Sequence, residues 1–145
     1  MARREPEWLL LVANQDGEEG KLGRLLCEIY QAVHGGQLRL AAMGIRALLE
    51  QMMITKVGDH GTFLKNLDAF QAGGWVSLVQ RDAISIVLDA GHAVTHRLFQ
   101  PSTDDLNTAL DIIDGVFAAI YVNQRQVERL AERTPSRRAR KPPPP

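Results

Sequence analysis

Residues 75–98 decide how the chain is read: Trp-Val-Ser-Leu-Val-Gln-Arg-Asp-Ala-Ile-Ser-Ile-Val-Leu-Asp-Ala-Gly-His-Ala-Val-Thr-His-Arg-Leu. At about 100° per residue, Val76, Val79, Ala83, Ile86, Val87, Ala90 and Val94 fall on one side of a helix. Arg81, Ser85, Asp89, His92 and His96 fall on the other as a continuous polar ridge, with Arg97 beside its end. Ile84 and Leu88 lie on the shoulder, so more than half the circumference is apolar. The shoulder is therefore expected to be covered by another helix or a second subunit.

The same spacing recurs outward from this segment, and no stretch shows the sustained alternation of a half-buried strand, so the chain is expected to be all-α, with about five helices. Leu22, Leu25, Leu26, Ile29, Tyr30 and Val33 mark a helix over 18–34 that ends at Gly35-Gly36. Leu38, Ala41, Ala42, Ile45, Leu49 and Met52 mark a second, broken by Gly58-Asp59-His60-Gly61. A shorter third helix is built on Phe63, Leu67 and Phe70, with Thr62 or a neighbour as its cap, and stops at Gly73-Gly74. Pro101 ends the fourth. Ser102 or Thr103, followed by Asp104 and Asp105, gives the fifth a cap and acids at its positive dipole end. That helix turns Leu106, Ala109, Ile113, Phe117, Ile120 and Tyr121 inward and frays near Arg133. Residues 1–17 are expected to be a weakly structured lead-in, 18–132 the helical domain, and 133–145 a disordered basic, proline-rich tail.

A chain of 145 residues can bury a real core, and 45% hydrophobic with 23% charged residues is near the globular average. The early apolar run, Trp8 to Ala13, is far short of the ~20 residues needed to span a bilayer, so a cytoplasmic protein without membrane contact is expected. Cys27 sits at an apolar helical position and reads as a small hydrophobe. The net charge of zero conceals an asymmetry. Arg133, Arg137, Arg138, Arg140 and Lys141 have no acid among them, which leaves 12 basic against 17 acidic residues elsewhere. Arg137, Arg138, Arg140 and Lys141 are thus a candidate phosphate-contacting tail.

Histidine titrates near neutrality and suits acid/base work or metal ligation. Asp89, His92 and His96 offer three ligands on one helical face. A zincin would need glutamate directly after His92, where Ala93 stands, and a fourth ligand is not supplied. No metal and no cofactor is therefore expected. The other chemistry is metal-independent RNA cleavage, with His96 as acid/base, His92 assisting, and a cation on the phosphate. The ridge supplies the histidines but no obvious cation.

Two motifs give the chain a resemblance. Arg46-Ala-Leu-Leu-Glu50 is similar to the R-x-x-L-E segment of the domain-of-unknown-function family numbered 4145, and Gly91-His92-Ala93-Val94-Thr95-His96 to its G-N-x-x-x-H pattern, with His in place of Asn. The likeness covers about Gly20 to Val122 and extends to the HEPN superfamily of small helical domains. Arg46 and Glu50, at i and i+4, read as a structural pair. The resemblance implies a helical bundle that dimerises, with the histidine helix near the subunit junction, and a place in a prokaryotic defence or toxin system. Active ribonucleases of that superfamily carry Arg, four to six residues, then His. Counting back from His96, the permitted places hold Gly91, Ala90 and Asp89. The expectation is a non-catalytic module that acts as a homodimer or with a partner protein, and binds RNA, another nucleic acid or a nucleotide through the ridge. The alternative is a ribonuclease using His96.

Overall fold

A computed structural model describes residues 2–135 and 144. The helices are α1 (Leu9–Ala13), α2 (Gly17–His34), α3 (Leu38–Val57), α4 (Phe63–Ala72), α5 (Leu78–Arg97), α6 (Thr103–Phe117) and α7 (Asn123–Arg133), with a π turn over Ala118–Val122. No strand occurs among the described residues. Local chemistry sets most of the boundaries. The Thr62 side chain accepts from the Lys65 N–H, and Ser77 and Ser102 form reciprocal capping boxes with Gln80 and Asp105. Gly36, Gly58 and Gly74 take positive φ after α2, α3 and α4, which Cβ-bearing residues rarely adopt.

Helix α3 is the centre of the bundle, packing against α2, α4, α5 and α6. Its Ala41, Ile45, Leu48, Leu49, Met52 and Met53 are buried nearly completely. The small residues at its start let neighbours approach closely. A Cβ on Gly91 of α5 would stand 3.0 Å from Arg46 Cβ and 3.4 Å from the Ala42 carbonyl oxygen. The glycine thus fixes the α3–α5 distance at the level where Arg46 leaves α3.

Two expectations are corrected here. Residues 2–17 are not a loose lead-in. Trp8 stacks on Phe117 at 5.3 Å, Leu9 is fully buried, and the Arg3 guanidinium bonds to Tyr30, to the Asn107 carbonyl, and to Asp111 and Asp114. Apolar residues too few to show periodicity still bury when a groove between longer helices receives them.

The buried face of α5 is also rotated from the expected one. Ile84, Val87, Leu88, Gly91 and Val94 face the core, whereas Val79 and Ile86 are 79% and 70% exposed. The shoulder is covered by this chain's own α3 and α4, so no second subunit is needed there. A helix apolar over most of its circumference has no sequence-defined rotation; its neighbours choose one.

The last helical stretch spans the expected range, Thr103 to Arg133, with a π turn inside it. The π turn widens the helix between α6 and α7, and the backbone stays helical through both of its ends. Tyr121, within it, stays buried beside Phe117. The tail residues Arg137, Arg138, Arg140 and Lys141 lie outside the described residues.

Candidate functional site

The polar ridge divides into two parts. At its start, the Arg81 guanidinium is held by Asp68 of α4 at 2.5 Å and by Asp82 at 3.3 Å, so its charge is spent on fastening α4 to α5. Further on, Ser85, Asp89 and His92 of α5 line a cleft of about 420 Å³ with Arg46 of α3 and Thr62, Phe63 and Leu64 at the start of α4. His96 lies one turn beyond, its ring centroid 4.3 Å from that of His92. Arg97 is exposed next to it.

The residue that organises this cleft comes from a different helix. Arg46 lies over the Phe63 ring, 4.3 Å from the centroid, and its Nη1 is 3.1 Å from Nδ1 of His92. A guanidinium can only donate, so Nδ1 accepts and the imidazole proton sits on Nε2. The exposed edge of His92 thus presents a donor. Among the described residues, no carboxylate is within ion-pair distance of Arg46, and the expected pairing with Glu50 does not form. One turn of one helix would have permitted that pair; the face of Phe63 and the ring of His92 hold the guanidinium on the other side instead.

Electrostatics follow from this geometry. Partial desolvation lowers the His92 pKa below its ordinary value, helped by the neighbouring His96, Arg46 and Arg97 and opposed by Asp89. His92 is therefore neutral at pH 7 while it accepts from Arg46. The cluster combines an unneutralised guanidinium and an imidazole N–H lining the cleft with a second imidazole one turn beyond it. Such a set can bind an anion, with Asp89 setting a limit on its charge density. Among the described residues, no three His, Cys, Asp or Glu side chains are grouped to hold a metal ion, Asp89, His92 and His96 included.

The spacing along α5 sets His92 beside His96, but the cation that meets His92 stands on another helix. The cation placed against His92 is Arg46 of α3, and one signal pointed to it. Gly91, inside a helix and one residue before His92, marks a close backbone approach, and what approaches is the stem of Arg46. Half-buried Cys27 has its thiol pKa raised, by burial first and then by Glu5 and Glu28, which makes it a poor nucleophile.

The fold and this cluster define a small all-α domain in which a central helix delivers an arginine to a histidine pair on its neighbour. Residues 27–133 match the family described as Domain of unknown function (DUF4145), and the chain belongs to that family. No curated protein and no solved structure matches it. Among the described residues, no helix is long and apolar enough to cross a membrane.

Proposed function

We propose that the domain is a non-catalytic HEPN-like module that works as a homodimer and binds phosphate groups of RNA, or of a nucleotide, at the Arg46–His92–His96 cluster. The observation carrying this reading is the Arg46 contact with His92. It leaves a full positive charge, without a carboxylate partner, beside two ring edges at an open cleft. Phosphate recognition needs such a fixed cation with donors around it. Arg97 and the basic tail would extend the contact along a strand.

Fluorescence anisotropy with a labelled single-stranded RNA tests the reading at low and moderate salt. Wild type should bind, with affinity falling as salt rises. Arg46→Met should lose about tenfold, roughly 1.4 kcal/mol. No binding at low salt, or unchanged binding by the variant, would overturn it.

The same contact favours a second reading, a metal-independent ribonuclease. Arg46 brings from α3 the cation that the spacing before His96 lacks. His96 would take a proton from the ribose 2′-hydroxyl as that oxygen attacks the neighbouring phosphorus, the P–O5′ bond would break with His92 Nε2–H protonating the departing 5′-oxygen, and Arg46 would steady the phosphate. Cleavage of RNA in EDTA that disappears in both His96→Ala and Arg46→Met would establish this in place of the non-catalytic module. Wild-type protein that leaves RNA intact would dismiss it.

A further inference from the structure

The outward side of α5 forms an apolar groove with α6 of about 340 Å³, lined by Ala83, Ile86, Ala90, Phe99, Ala109 and Ile112. Its rims are bare, with Ile86 70% and Phe99 40% exposed. A second unpartnered surface lies on α7, none of whose residues is buried. Arg125, Gln126 and Arg129 turn toward Trp8 and Leu11, so that side of α7 faces its own domain. At about 100° per residue, Val127, Leu130, Ala131 and Thr134 point on average roughly 140° away from it. Val127 and Leu130 are 61% and 56% exposed.

We propose that the α5–α6 groove receives α7 from a second copy of this chain, in a reciprocal exchange about a two-fold axis. The inference rests on the homodimer reading above and gives it a surface. Docking within one chain is excluded by length. Helical backbone runs unbroken from α6 through the π turn into α7, which holds Ala109 and Leu130 about 30 Å apart. The groove residues of α6 and the apolar stripe of α7 lie about equally far on either side of the π turn. Two such rods, antiparallel and crossing at their π turns, therefore place each α7 beside the other's groove. That arrangement closes on itself, as a two-fold contact must.

Charge chooses the same occupant. Residues 123–141 contain seven basic and two acidic residues, against ten basic and fifteen acidic in residues 1–122; Arg125 is held by Glu19 of its own domain, which leaves six basic residues for a partner. Asp105 lines the groove, and exposed Asp104 stands beside it at the start of α6. The acidic body of one copy thus attracts the basic end of the other. The competing arrangement, α5 against α5 centred on Ile86, would set Asp82 of one copy against Asp89 of the other, and like charges oppose it.

The test is site-directed cross-linking of the full chain with Cys27→Ser as background. With both Ala109→Cys and Leu130→Cys, mild oxidation should give a disulfide-linked dimer on a non-reducing gel. Either substitution alone should not. If light scattering shows a wild-type dimer but the paired cysteines link no more than the single ones, the dimer uses another face and this inference fails while the homodimer reading stands. A wild-type monomer at high concentration would end both. Ile86→Glu and Leu130→Glu change exposed residues, so circular dichroism should stay unaltered. Each should weaken the dimer at least tenfold, and unchanged association by both would count equally against the proposal.

Discussion

Two arginines reach across helix boundaries in this molecule, and they end in opposite circumstances. Arg3 is met by carboxylates: Asp111 at 2.5 Å and Asp114 at 3.2 Å, with the Tyr30 hydroxyl beside it. Burial pushes the Asp114 carboxyl above its ordinary value, against the bonds from Tyr30 and Arg3 that favour its charged form. Tyr30, which also bonds Asp114, is raised by burial and by that carboxylate. Arg46, in contrast, is met by a ring face and a neutral imidazole. A cation whose charge is cancelled by its own protein is a fastener. One whose charge is held in place but left uncancelled is available to a ligand. Arg81, bound to Asp68 and Asp82, belongs with Arg3 despite lying on the ridge.

The largest way to probe the fastened side is Leu9→Ala. Leu9 is fully buried beneath the segment that Arg3 holds, so its truncation should cost about 2–5 kcal/mol in urea unfolding. A cost under 0.5 kcal/mol would mean that the N-terminal segment docks without contributing to the core.

At the cluster, Gly91→Ala should cost up to about 2 kcal/mol, the crowding of its Cβ against the Arg46 stem at 3.0 Å outweighing the roughly 1 kcal/mol that alanine gains within a helix. It should also weaken RNA binding. A variant with wild-type stability would show that the helices have slack at this level.

Arg46→Met keeps the aliphatic stem and should cost only about 0.5–1 kcal/mol of stability, the worth of the contact with Phe63. Its loss in RNA affinity should be the larger effect. A stability loss above 2 kcal/mol without an affinity change would move Arg46 to the fastened class.

The smallest effect is a titration. His92 should titrate by NMR below 6.5, and Arg46→Met should move it upward. The sign follows from linkage: below 6.5 the unfolded chain binds a proton that folded His92 still refuses. The stability this contributes is present above 6.5 and is lost as pH falls through the folded value, when protonated Nδ1 can no longer accept from Arg46. A His92 that titrates at or above 6.5 would remove the argument for the Arg46 contact.

Much of the architecture was legible before the fold. Gly35-Gly36, Gly58 to Gly61, Gly73-Gly74 and Pro101 mark helix ends because they act on the backbone within a few residues, and Thr62 and Ser102 cap for the same reason. The His92–His96 neighbourhood was legible too, since one helical turn sets it. The N-terminal helix was missed because five residues carry too little period to register. What the sequence by itself determined is therefore local: where helices begin and end, and which side chains stack along one of them. Only the tertiary structure decided which apolar side of α5 turned inward, and that Arg46 of α3 would stand against His92. Both depend on the rotation and register of packed helices, quantities that no spacing within a single helix contains.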